Sequence, residues 1–250
     1  MEKGILLSLI ILAGLTGCAT TSSSQKEQVS QSTFESKEEM LSQTGNLAQL
    51  VQLYKNRLQE SDSQEIRIKL IEAYLAEKDY ESAAFYLDRL REKQQASDQP
   101  GQPDDTLQAK IDLLQARVLL EQSKPEKASE LVLRAIEKKG NYPEAENLMG
   151  LIQADLGDLV KAREYFNLAR QHYYDDAVVK NNLAVLDLIE EEYQAAADKL
   201  QPLYQKGLAD EKITANLVFA YAKLGNYPAV EAILKKQDYS EEIFRVCLSA

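Results

Sequence analysis

Few residues in this sequence have the type and spacing that a catalytic, metal-binding or cofactor-binding site requires. The chain has two cysteines, Cys18 and Cys247, and a single histidine, His172. His172 has no second histidine or cysteine at the spacing of a zinc site, and the G-x-S-x-G, P-loop and dinucleotide-binding motifs are absent from the sequence. We therefore expect no catalytic residue, no metal site, no cofactor and no small-molecule substrate, and we predict that the chain is not an enzyme.

Cys18 closes an apolar segment at the start of the chain. Lys3 supplies a positive charge, and residues 5–15 form an eleven-residue, mostly apolar run. A membrane-spanning helix needs about 20 apolar residues, so this run predicts a secretion signal and not a transmembrane anchor. The alternative is an ordinary secreted protein that carries a cysteine near its cleavage site by chance.

The motif LTGC, residues 15–18, resembles the bacterial lipobox. The resemblance implies that a diacylglycerol is attached to the Cys18 thiol, that residues 1–17 are removed as a lipoprotein signal peptide, and that the new amine is acylated, with palmitate as a typical chain. Residue 19 is alanine and not aspartate, which by the same resemblance implies an anchor at the periplasmic face of the outer membrane. With Cys18 acylated, Cys247 has no disulfide partner and is predicted to be a small buried residue.

The charge balance limits the class of partner. The formal net charge is −11. An acidic chain repels phosphate backbones, so we expect no nucleic-acid partner. Residues 18–40 are rich in Ser, Thr, Gln and Glu, and they predict a flexible polar tether between the lipid and the folded part.

An internal repeat of 34 residues runs through most of the remaining chain. Three segments align without a gap: residues 147–171, 181–205 and 215–239. Two more copies precede them, at residues 111–139 and 66–93. The eleven extra residues before the second copy, QQASDQPGQPD, contain two prolines and a glycine and predict an inserted loop. The columns that agree best are Gly150, Ala184 and Val218; Phe166, Leu200 and Leu234; and the turn residues Gly157, Glu191 and Gly225.

This pattern resembles the tetratricopeptide repeat, a helix–turn–helix unit of 34 residues. The implied fold is all-α, a right-handed superhelical solenoid over residues 41–250, with small column residues where helices approach closely and large ones in the gaps. Residues 45–61 predict a leading helix, and residues 240–250 a trailing cap. The alternative is a generic helical bundle in which the spacing arises by chance. The chain contains no tryptophan, which the consensus repeat carries, and this departure bears on the boundaries of individual repeats and not on the architecture. The predicted repeats are residues 64–97, 109–142, 143–176, 177–210 and 211–244, with the inserted loop over about 94–106.

Solenoids of this kind expose a long concave surface that binds a peptide or a helix of a partner protein. In several tetratricopeptide proteins, asparagines in matching columns bond the main chain of the ligand, because an amide both donates and accepts hydrogen bonds. Leu151, Val185 and Phe219 share a column and predict an apolar floor for this groove. The alternative is that the asparagines bond only backbone or water. The hypothetical peptide groove comprises Asn147, Asn181, Asn182, Val185, Asn216 and Phe219.

A lipobox, a short polar tether and a small set of these repeats together resemble the TadD family of Tad (Flp) pilus-assembly lipoproteins. The resemblance implies a non-enzymatic accessory at the outer membrane that binds the secretin or another component of the pilus secretion machine. Three other protein-binding roles stay open: a type IV pilus pilotin, a lipoprotein of the β-barrel assembly machine, and a scaffold for peptidoglycan enzymes. A periplasmic hydrolase is the alternative of a different class, although no nucleophile–base pair is visible.

Overall fold

The computed structural model describes residues 21–97 and 104–236, which form twelve α-helices and no β-strand. The all-α prediction is confirmed for this part of the chain. The described residues fall into two compact units, one that ends at Ile66 and one that begins at Arg67. The predicted signal peptide, Cys18 and Cys247 lie outside the described residues, as does the predicted trailing cap.

The helices follow one another without intervening strands. The first unit contains α1 (Thr21–Gln43) and α2 (Leu47–Glu60), and α3 (Gln64–Glu77) begins just before the boundary. The remaining helices are α4 (Tyr80–Ser97), α5 (Asp105–Glu121), α6 (Pro125–Lys139), α7 (Pro143–Asp155), α8 (Leu159–Gln171), α9 (Asp176–Ile189), α10 (Tyr193–Gln205), α11 (Glu211–Lys223) and α12 (Tyr227–Lys236).

The helices α1 and α2 of the first unit form a hairpin. Gly45 turns the chain with a φ of +65°, and the Asn46 side chain caps α2 by accepting a hydrogen bond from the backbone N–H of Gln49. The rings of Phe34 and Tyr54 lie 6.4 Å apart, and the Tyr54 hydroxyl donates to Glu38 at 2.8 Å. The predicted leading helix over residues 45–61 therefore corresponds to α2.

The predicted flexible tether over residues 18–40 must be corrected, because the chain is helical from Thr21 onward. The segment is polar, but it contains neither glycine nor proline between residues 21 and 43. Phe34 and Leu41 also supply an apolar face, and they are only 9% and 2% exposed in the structure. Burial of such side chains stabilises a helix whose average composition is typical of a disordered segment.

The second unit is built from five helix pairs: α3–α4, α5–α6, α7–α8, α9–α10 and α11–α12. The first and second members of each pair are called the first helix and the second helix. From α4 onward, each second helix also contacts the first helix of the next pair. This neighbour-on-neighbour order is the predicted solenoid. The predicted inserted loop over about 94–106 was too long, because α4 continues to Ser97 and α5 begins at Asp105, before its predicted repeat; α9 also begins one residue before its predicted repeat.

A small residue on a first helix lets the second helix of the same pair approach closely. A Cβ atom built on Gly150 would lie 2.5 Å from two ring atoms of Phe166, so only glycine fits here. In the same two columns, the pair that follows carries Ala184 and Leu200, both fully buried. The smaller of the two first-helix residues, Gly150, therefore faces the larger of the two second-helix residues, Phe166.

The turn between the two helices of each pair has a residue with positive φ. Two of these residues are glycines, Gly157 and Gly225, as the repeat columns predict. A left-handed conformation costs other residues roughly 1–2 kcal/mol, so three of the five turns are strained. The strained turn residues are Lys78, Ser123 and Glu191, with φ values of 62°, 57° and 61°. The residues that follow two of these turns cap the second helix, since Asp158 accepts from the N–H of Lys161, and Asn226 from that of Ala229.

Candidate functional site on the first-helix face

The first helices of successive pairs contact one another on one side of the second unit. These contacts join α5 to α7, α7 to α9 and α9 to α11. Within residues 104–236, the second helices of successive pairs make no such contact. The residues that α3, α5, α7, α9 and α11 expose on this side are called the first-helix face, and the residues predicted to form the peptide groove lie here.

The four asparagines of the predicted groove form two hydrogen bonds between successive first helices. The Asn182 side-chain N–H donates to the Asn147 carbonyl oxygen at 2.8 Å, and Asn216 donates to Asn181 at 2.8 Å. The second bond repeats the first after 34 residues. These two bonds are called the asparagine ladder.

The ladder uses only part of the hydrogen-bonding capacity of each amide. Asn147 is 6% exposed, whereas Asn181, Asn182 and Asn216 are half-buried. An amide has two N–H donors and a carbonyl oxygen with two lone pairs, so these three side chains retain groups that can reach a ligand. Contact of these three side chains with a ligand stays a prediction. The hydrogen bonds between the asparagines were not predicted from the sequence, although the spacing of 35 residues in both pairs could have indicated them.

An apolar strip runs beside the ladder. Leu151, Val185 and Phe219 occupy one column on α7, α9 and α11; Leu151 and Phe219 are 39% and 46% exposed, and Val185 is half-buried. The Phe219 ring lies edge-on to Tyr193 at 6.3 Å, and the Lys223 ammonium lies 5.5 Å from its centroid. Exposed apolar side chains arranged in a row are typical of a surface that binds another chain.

A pocket of about 250 Å³ opens on the same face between α3, α5 and α7. Arg117 lines it, and Arg117 stands one repeat before Leu151 in the column of the apolar strip. Partial burial, and then a hydrogen bond to the Glu121 carboxylate, raise the pKa of Tyr80 at the rim. This pocket was not predicted from the sequence, although a step of 34 residues back from Leu151 leads to Arg117.

Nearby acidic groups affect the titration of Tyr142, which precedes α7. Burial, followed by the carboxylates of Glu144 and Glu72, raises the pKa of Tyr142 to about 12, and Arg117 acts in the opposite direction. The Lys139 ammonium lies 3.8 Å from the centroid of the Tyr142 ring. The neutral phenol is therefore the form that this environment favours.

Buried acidic residues of the first helices bind basic groups of the second helices. Asp187 is 4% exposed and accepts hydrogen bonds from Arg163 at 2.9 Å and from Lys199 at 2.5 Å. Glu146 is 1% exposed, and its two oxygens lie 2.7 and 2.8 Å from Nδ1 of His172. The His172 ring is therefore within hydrogen-bonding distance of one carboxylate, that of Glu146. The described part of the chain brings no three His, Cys, Asp or Glu side chains into a metal-binding group.

Comparison with known proteins identifies the fold. No protein-family model and no curated protein matches the sequence. Among solved structures, the chain is similar to the APC/C hetero-tetramer Cut9–Hcn1, with a TM-score of 0.61 and 16% identity over 80% of this chain and 38% of that one. It is also similar to pilF of Pseudomonas aeruginosa, with a TM-score of 0.54 and 18% identity over 83% of this chain and 91% of that one.

A third similar structure carries the name of the repeat. It is a thermophilic TPR protein of Thermus thermophilus, with a TM-score of 0.60 and 16% identity over 73% of this chain and 94% of that one. Among the described residues, no helix is both long and apolar enough to cross a membrane. The five stacked helix pairs and these likenesses together show that the chain has the fold of a tetratricopeptide-repeat solenoid.

Proposed function

We propose that this protein is a scaffold that binds a segment of another polypeptide on the first-helix face. The observation that carries the proposal is the exposed apolar strip of Leu151, Val185 and Phe219 beside the asparagine ladder. An apolar row supplies affinity by burial, and amides along its edge supply hydrogen bonds to a main chain whatever its side chains. The net charge of −11 is unfavourable for a nucleic-acid partner.

The proposed place of action is the periplasmic face of the outer membrane. The lipobox-like motif that ends at Cys18 supports a lipid anchor, and the alanine at residue 19 supports the outer membrane. The proposed task is to help assemble or localise a Tad (Flp) pilus secretion machine, with its secretin or another component as the partner. This assignment is supported by the resemblance of the lipobox and repeats to the TadD family. Only protein-binding roles are proposed, and no catalytic one.

The binding surface can be tested by crosslinking in cells. A photoreactive amino acid at Asn182 should capture a secretin or another pilus component, identified by mass spectrometry. Phe219→Ala should reduce this capture, because it removes the largest exposed side chain of the strip. Phe85→Ala is the matched control, since Phe85 is a 54% exposed phenylalanine on α4 with a cation at 5.1 Å from its ring.

Each outcome bears on a separate part of the proposal. If Phe219→Ala and Phe85→Ala reduce the capture of the partner equally, or if neither variant reduces it, a specific role of the strip is contradicted. Capture of the β-barrel assembly machine or of peptidoglycan enzymes would replace the pilus assignment but retain the scaffold. Mass analysis of the exported protein should show a diacylglycerol on Cys18, and an unmodified N-terminus would refute the anchor. Asn182→Ala combined with Asn216→Ala should weaken partner binding with helicity intact.

A further inference from the structure

The pocket between α3, α5 and α7 combines apolar walls with one cationic group. Its volume is about 250 Å³, comparable to that of one or two side chains. All of the lining residues except Tyr80, at the start of α4, come from three first helices, so an occupant would touch three successive repeats. The apolar residues that line the pocket are Leu75, Ala76, Leu120, Leu148 and Leu151.

Arg117 is the cationic group of this pocket, and it has no ionic partner within the described residues. The Glu72 carboxylate binds the Lys110 ammonium at 2.5 Å. Glu121 forms no ion pair within the described residues; after burial, its carboxylate is the next cause that raises the pKa of the Tyr80 hydroxyl. Within residues 21–97 and 104–236, Arg117 forms no ion pair and donates no hydrogen bond. A half-buried guanidinium retains five N–H donors in a planar fork, and a carboxylate is the group in proteins that matches this fork best.

From this arrangement we infer that the pocket binds an acidic side chain of the partner polypeptide, flanked by an apolar residue. The inference rests on the proposed function, and it specifies the chemistry of the segment bound. Arg117 stands in the same column as the apolar strip, so a chain that follows the strip through Leu151 also passes Arg117. Such a chain presents side chains, and not its terminus, to the guanidinium.

The charges of the pocket favour an anion over a cation as occupant. The Glu72 carboxylate already has a cationic partner in Lys110 and the Glu121 carboxylate lies beside the Tyr80 hydroxyl, whereas the guanidinium has no acceptor. A cationic side chain would meet Arg117 as a like charge and would have to displace Lys110 or the Tyr80 hydroxyl. The apolar residue beside the acid would occupy the leucine-lined walls and exclude water from the charge-assisted bond.

The test uses short peptide probes and the full chain purified in detergent. The reference probe is acetyl-Leu-Asp-Leu-amide, and the matched probes replace Asp by Asn or by Lys. A further probe, acetyl-Leu-Asn-Leu with a free carboxyl terminus, presents a terminal carboxylate instead. Dissociation constants are measured by ligand-observed NMR. The Asp probe should bind about tenfold more tightly than the Asn probe, because a hydrogen bond to a charged group is stronger than a neutral one.

Arg117→Gln should abolish the preference for Asp over Asn, and Arg117→Lys should retain part of it. Lys223→Gln, a change of the same charge at the other end of the strip, should leave the preference unchanged. Circular dichroism confirms that each variant is folded. The proposal is overturned by equal binding of the Asp and Asn probes, by tighter binding of the Lys probe, or by a preference that survives Arg117→Gln.

Two other outcomes also overturn it. One is binding of the free-terminus probe as tight as that of the Asp probe, and the other is no detectable binding of any probe at its solubility limit. These results are independent of the crosslinking at Asn182. If capture of the partner persists and depends on Phe219 while the probes fail, the acidic-segment inference is wrong and the scaffold stands. If the probes behave as expected and no partner is captured, the pocket chemistry stands alone.

Discussion

The contact between α7 and α8 gives the sharpest test of how the repeat columns determine the packing. In Gly150→Ala, the new Cβ would lie 2.5 Å from Cδ1 and Cε1 of Phe166 and 3.0 Å from Cζ. The Phe166 side chain is 1% exposed, so its ring is enclosed by other residues and cannot move outward to relieve the contact. Overpacking costs about 1–3 kcal/mol, and the helix propensity of alanine returns about 1 kcal/mol. A 2.5 Å contact favours the upper end, so we expect a net loss of about 2 kcal/mol.

A second substitution should relieve this loss. Phe166→Leu alone should cost about 1 kcal/mol, since it leaves a small cavity. Together with Gly150→Ala it reproduces the Ala184 and Leu200 pair, which is fully buried in the next repeat. The double variant should therefore be at least as stable as Gly150→Ala alone, with a favourable coupling of about 1–2 kcal/mol between the two sites.

Urea unfolding followed by circular dichroism measures all four corners of this cycle. The reciprocal pair Ala184→Gly and Leu200→Phe is the matched control, and it should show a coupling of the same sign. An unchanged m-value shows that only stability has changed. If the costs of Gly150→Ala and Phe166→Leu simply add, the ring contact does not decide the packing, and the interpretation of the two columns is refuted.

Three further predictions concern turns, titration and buried charge. Glu191→Gly should stabilise the protein by about 0.5–1 kcal/mol in thermal unfolding, because the residue has a φ of 61°, whereas Gly157→Ala should destabilise it by about 1 kcal/mol; equal signs would contradict this account. The pKa of Tyr142 is raised to about 12, against about 10 in the unfolded chain, so folding favours the protonated phenol and stability should fall as the pH rises from about 10 to about 12. The loss from this residue should be about 1.4 kcal/mol at about pH 11 in urea unfolding and absent in Tyr142→Phe; an identical loss in the variant would refute the assignment. Asp187→Ala should lower stability by about 1–2 kcal/mol, less than for a fully buried pair because the cations that it binds are about a third exposed, and an unchanged urea midpoint would contradict this.

The repeat period was sufficient to predict the helix pairs. Each pair packs in the same way, so equivalent positions in successive repeats carry residues of similar size. Gly157 and Gly225 mark two of the turns from the sequence alone. The turn at Glu191 has the same backbone conformation without the favoured residue. Here the stacked neighbours impose a left-handed φ that the residue itself disfavours.

The predicted tether shows where composition misleads. Its polar average indicates disorder, but a few apolar residues at helical spacing are enough to hold α1 against α2 through Phe34 and Leu41. Composition averages over the faces of a helix, whereas packing depends on one face alone.

The sequence by itself determined the all-α class, the 34-residue unit and the row of Leu151, Val185 and Phe219, because each follows from spacing along one chain. The lipid on Cys18 is also a prediction of the sequence. Only the tertiary structure decided that the groove asparagines bond each other across repeats and that Arg117 faces a pocket without an ionic partner. Both depend on distances between side chains of different helices, and such distances arise only when separate helices are packed together.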